Sequence, residues 1–148
     1  MMCWNYRNYG RSQGSPDPYT CYHDGEAILK FLIKDLAMKG KISVYGRSIG
    51  GTIATHLANT YPEYIDFLFI DRSLGNLNTI SENIIQGRCN KFLVNFFTNN
   101  WVINSDKNFY EAQCFKILTQ DPDDEIIDKY SALNSQVARL ASQDYLGE

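Results

Sequence analysis

Histidine is scarce in this chain. There are two, His23 and His56, against 14 Lys and Arg and 17 Asp and Glu. Any step that needs an imidazole base therefore has two candidates. Cysteine is limited to Cys3, Cys21, Cys89 and Cys114, which form no C-x-x-C pair, so zinc-ribbon and thioredoxin-like chemistry are both unsupported. No apolar run approaches the ~20 residues that span a bilayer, so no transmembrane segment is expected. The opening MMCWNYRNYG has neither the basic region nor the apolar core of a signal peptide. N-x-[ST] acceptors are missing as well, and these absences together predict a cytoplasmic location. G-x-G-x-x-G is also absent, and neither a cofactor nor a metal is expected. The net charge of -3 comes without any cluster of Lys and Arg, so nucleic acid is not an expected partner.

What is present is an alternation of short apolar runs with amphipathic stretches, the rhythm of an α/β fold. With 148 residues, 44% of them hydrophobic, a single domain over 1–148 is expected. The segment GRSQGSPDP (10–18) is dense in turn residues and reads as loop. Ala27, Ile28, Phe31, Leu32 and Leu36 then recur at helical spacing, which predicts a helix over about 20–38, stopped by Gly40. Strands are predicted over 42–45, 64–70 and 115–118, and a helix from about residue 50 to just before Pro62. Residues 76–101 read as helical, with Phe92, Leu93, Phe96 and Phe97 on one face. A last helix over about 128–142 carries Tyr130, Leu133, Val137 and Leu140.

G-x-S-x-G occurs twice, at Gly10–Ser12–Gly14 and at Gly46–Ser48–Gly50. A nucleophilic serine of this kind stands on a sharp strand-to-helix turn, where glycines permit close backbone approach. Ser12 is preceded by the polar WNYRNY and followed by two prolines, which oppose such a crossing; it reads as a loop residue. Ser48 lies in KISVYGRSIGGTIATHLA, with an apolar strand before it and a helix of small residues after it. A phosphate-binding turn is the competing reading of Gly46 to Thr52, but the place of the phosphate-binding lysine is taken by Thr52.

Taken in order, NYRNYGRSQGSP, ISVYGRSIGGTIATHLA and FKILTQDPDDEII resemble segments of the α/β-hydrolase superfamily, in particular its serine-aminopeptidase-like and abhydrolase-domain members. The resemblance implies a mostly parallel sheet with flanking helices. It implies a partial fold, running from about strand 4 to the helix after strand 7. It makes Ser48 the nucleophile, Asp124 the acid that orients the base and the Ile49 N–H an oxyanion donor. Asp121 and Asp123 are neighbouring alternatives for the acid, and Asp71, at a strand end, is another. The implied substrate is a small molecule or acylated group cleaved at an ester, thioester or amide bond.

The base is what this pattern lacks. In the family's order it follows the acid, and no histidine follows Asp124. His56 is eight residues beyond Ser48, about 12 Å along a helix axis, and His23 reaches Ser48 only if the early loop folds over it. The second oxyanion donor belongs to a loop after the third strand, whereas this chain is expected to begin near the fourth. Weak or absent turnover follows, and a non-catalytic pseudoenzyme or truncated product acting through an interaction surface is the alternative. Phe92, Phe96, Phe97 and Trp101 either line an acyl pocket or form core, and core is the simpler reading.

Overall fold

The structure, a computed structural model, describes residues 1–76, 103–124, 127 and 129–147. The helix expected over 76–101, with its four aromatic and aliphatic face residues and Trp101, lies outside the described residues apart from its first position. Two compact units are present, Met1–Gly40 and Lys41–Glu148.

In the first unit, a loop leads into α1 (Pro18–Lys34). Asp17 caps it: the Thr20 N–H donates to the Asp17 carboxylate (3.0 Å) and the Asp17 N–H donates to Thr20 Oγ1 (3.1 Å). Pro18 fits the first position because no intrahelical acceptor awaits an N–H there. Two bonds from the Arg7 guanidinium to Asp24 (2.8 and 2.7 Å) tie the loop to the helix. The expected apolar face is displaced. Cys21, Gly25 and Leu29 are buried, whereas Phe31 and Leu36 are exposed. The expected stop at Gly40 is also late. Ala37 takes a left-handed conformation (φ 47°) and Met38 N–H closes back onto Leu32 O, so the helix ends at Lys34 rather than near residue 38.

In the second unit, β1 (Ile42–Arg47), α2 (Gly50–Thr60), β2 (Ile65–Asp71), α3 (Ser105–Glu111), β3 (Phe115–Thr119) and α4 (Leu133–Leu146) follow in order. The sheet is parallel throughout, in the order β1-β2-β3. This is the parallel sheet with flanking helices that the sequence pattern predicts. Among the described residues no strand precedes Ile42. Ile53, Ala54, Leu57 and Ala58 of α2 are buried, as are Ile65, Leu68 and Ile70 of β2. The β1 face that α2 meets carries Gly46, since a Cβ there would come within 2.5 Å of Gly50 O. On the other face Tyr45 meets Phe69 edge-on and Phe67 stacks on Phe115.

Helix α3 has no counterpart in the predicted pattern, because SDKNFYE shows no apolar periodicity and of its large apolar side chains only Phe109 is buried. Helix α4 starts five residues later than expected. Leu133 N–H donates to Ser73 O (2.9 Å) and Ala132, itself extended, bridges Leu74, so residues 129–131 form a turn ahead of the helix. Tyr130, placed on the helix face by its spacing, therefore precedes the helix and is exposed.

Candidate active site at the carboxyl rim of the sheet

Parallel strands deliver all their carboxyl ends to one rim, where ligand sites of open α/β sheets form. Here that rim collects Ser48 after β1, Asp71 to Ser73 after β2, and the turn beginning at Gln120 after β3.

Ser48 stands between strand and helix: β1 ends at Arg47, and α2 begins at Gly50 with Ile49 as its N-cap. Its φ is 51°, in the left-handed region that a residue with a Cβ enters at a cost of roughly 1–2 kcal/mol. The glycines around it are sterically required. A Cβ on Gly46 would lie 2.5 Å from Gly50 O and 2.7 Å from the Gly51 Cα, and one on Gly51 would lie 2.1 Å from Ser73 Oγ. Strand and helix approach so closely that only bare Cα atoms fit.

Both backbone groups of Ser48 are engaged. Its N–H donates to Asp71 O (3.1 Å) and Arg72 O (3.0 Å), and its carbonyl accepts from Gly51 N–H (3.0 Å) and from Ser73 Oγ (2.8 Å). At the start of α2, Gly51 and Thr52 N–H bond to Ser48 O and Ile49 O. Among the described residues the N–H groups of Ile49 and Gly50 make no hydrogen bond, as the first turn of a helix dictates. The positive end of the α2 dipole is therefore presented beside Ser48. The Thr52 hydroxyl donates to Ile49 O (2.8 Å), within the first turn of the helix.

The acidic residues differ in how their oxygens are occupied. Asp71 accepts from Arg72 Nε (3.1 Å), Thr119 Oγ1 (3.2 Å) and Tyr45 OH (3.3 Å), and Arg47 lies 3.6 Å away. The bond from Arg72, joined by those from Thr119 and Tyr45, holds its carboxyl below the usual carboxylate range. Arg72 also reaches Asp121 (3.8 Å). Asp124 is half-buried in the turn after β3, where its Oδ1 accepts from Ile127 N–H (3.0 Å). Asp123 is exposed, and its N–H donates to Asp121 Oδ1 (3.0 Å).

The structure thus brings Ser48, Ile49, Asp71, Asp121 and Asp124 to one rim, with β2 between the strand that delivers Ser48 and the one that delivers Asp124. His56 is half-buried in the interior of α2, and His23 sits exposed on α1, 3.8 Å from Glu26. Ser12 lies in the first-unit loop, its hydroxyl donating to Asn5 O (3.2 Å). Arg72, with φ 46°, and the fully buried Ser73 were not singled out by sequence reasoning. Their one legible trace is that they directly follow a strand end. Among the described residues no group of three or more His, Cys, Asp or Glu side chains could hold a metal ion. A cavity of about 470 Å³ opens at the opposite, amino rim, lined by Lys41, Asp66, Cys114 and Lys116 among others, and takes in none of these rim residues.

Residues 2–101 match the family described by its α/β hydrolase fold. The chain belongs to that family. It is 25% identical over 128 residues to a phosphatidylserine lipase of Mus musculus, a match covering 86% of this chain and 23% of the relative. It is 34% identical over 74 residues to the bem46 protein of Schizosaccharomyces pombe, covering 49% of this chain and 25% of that one. It is 28% identical over 81 residues to an uncharacterized membrane protein of Saccharomyces cerevisiae, covering 54% of this chain and 28% of the relative. The chain therefore spans about a quarter of the length of each. No helix among the described residues is long and apolar enough to cross a membrane. No solved structure matches the chain.

Proposed function

We propose that this chain carries the nucleophile of an acyl hydrolase. Ser48 is the attacking residue, the Ile49 N–H an oxyanion donor and Asp124 the carboxylate that orients a base. The observation that carries the reading is the conformation of Ser48. A serine held at φ 51° between a strand and a helix, with glycines where any Cβ would collide, matches the strained turn on which such nucleophiles stand. In the reaction the serine hydroxyl adds to an acyl carbonyl and passes its proton to the base that Asp124 orients. The oxyanion of the tetrahedral intermediate is stabilised by N–H groups at the start of α2; its collapse expels the leaving group, which takes up that proton, and leaves an acyl-serine that water hydrolyses.

Asp124 is preferred to Asp71 as the acid because the Asp71 oxygens are already committed to Arg72, Thr119 and Tyr45. The substrate is an ester, thioester or amide of a small molecule or acylated group. The name of the mouse relative adds glycerophospholipid esters to those worth assaying. The free thiols of Cys3, Cys21 and Cys114 fit the cytoplasmic location that belongs to this proposal, and a fluorescent fusion tests it.

Turnover by the chain alone is expected to be weak, since both histidines precede Asp124 in the sequence. That same fact favours the second reading, a non-catalytic member acting through its surface. A fluorophosphonate probe separates the two. Covalent labelling of the wild type that disappears in Ser48→Ala supports an activated serine, and labelling that survives this change defeats it.

A further inference from the structure

A residue with a Cβ stays at a left-handed φ only where its surroundings over-determine it. Outside its own turn, Ser48 is held at its N–H by the Asp71 and Arg72 carbonyls and at its carbonyl by Ser73. The Ser73 side chain is fully buried, and its hydroxyl donates to Ser48 O (2.8 Å). Its own carbonyl accepts from Leu133 N–H (2.9 Å), which anchors it to the start of α4. The room it occupies exists because residue 51 is glycine.

The bond does more than hold Ser48. The carbonyl of residue 48 and the N–H of residue 49 share one rigid peptide plane and, in the trans form, point in opposite directions. Among the described residues there are no cis peptides. A hydroxyl that fixes the direction of Ser48 O therefore fixes the direction of Ile49 N–H as well.

We infer that Ser73 is a positioning residue for the oxyanion donor: it pins the 48–49 peptide plane so that Ile49 N–H faces the reacting acyl group. This deepens, and for its catalytic meaning rests on, the proposed role of Ser48. The orientation itself does not depend on that role.

The test compares the full-length wild type with Ser73→Ala, and with Gly51→Ala, whose added carbon displaces the same hydroxyl from the other side. Fluorophosphonate labelling of Ser48 is expected to slow about tenfold or more, because one misdirected oxyanion donor is costly. Leu57→Val, a core change in α2, serves as the control and is expected to label at the wild-type rate while folded. Amide resonances and exchange at Ser48 and Ile49 provide the second readout. The Ser48 amide is expected to exchange about tenfold faster in Ser73→Ala, with amides of β2 unchanged. If the wild type labels and Ser73→Ala labels equally fast, the inference is overturned while the nucleophile stands. If the wild type does not label, the nucleophile reading falls and the amides decide. Shifted Ser48 and Ile49 amides uphold the positioning, and unshifted ones overturn it.

Discussion

At Ser48 stability and proposed function oppose each other. Holding serine at φ 51° costs free energy that glycine in the same place does not incur. Ser48→Gly is therefore expected to be more stable than Ser48→Ala by about 1 kcal/mol, measured by urea denaturation, although both lack the hydroxyl. Equal stabilities would mean that position 48 is unstrained. Asp71 gives a pH signature. Its carboxyl is held below the usual range, chiefly by Arg72, so its stabilising effect is complete above about pH 4, the unfolded value, and fades as pH falls through the lower folded one. Asp71→Asn should lower the urea midpoint at neutral pH and leave a shallower loss of stability below about pH 4 than the wild type shows. Much at this scale was open to sequence reading: Ser48 was preferred to Ser12 because strand and helix residues flank it. Arg72 and Ser73 were not. Nothing in an arginine codon signals φ 46°, and Ser73 gains its place only when β2 ends beside α2.

Among the elements, those with strong local signals agree best with the pattern. Strands β1, β2 and β3 match their apolar runs to within two residues at either end, β2 most plainly, since Ile65, Leu68 and Ile70 are buried within it. Helix α1 shows the opposite case. Its start is set by the Asp17–Thr20 capping box, but its buried stripe follows Cys21, Gly25 and Leu29 rather than Phe31 and Leu36. Small residues that permit close packing leave little trace in a hydrophobicity pattern. Asp17→Ala removes the cap and is expected to cost about 1 kcal/mol. Faster amide exchange at Thr20 and Cys21 would register it, and unchanged exchange there would show that the cap is dispensable. Helices α3 and α4 were missed or shifted because their limits depend on tertiary bonds, Ser105 N–H to Gly75 O and Leu133 N–H to Ser73 O, which no window of sequence contains.

For the whole molecule, topology does what no single motif can. Three parallel strands in the order β1-β2-β3 bring segments distant in sequence to one rim, so the serine motif near residue 48 and the acidic turn near 124 both follow the carboxyl ends of their strands, with β2 between them. The order of the three sequence motifs carried this much. The chain covers about a quarter of its relatives' length, and the activity of a whole relative is for that reason a proposal here. The most direct test is to treat the wild-type chain with a fluorophosphonate, digest it and locate the adduct by tandem mass spectrometry. The account predicts a single phosphonylated peptide containing Ser48, present in Ser12→Ala and lost in Ser48→Ala. An adduct on Ser12, or spread over several serines at rates no faster than in the unfolded chain, would contradict it.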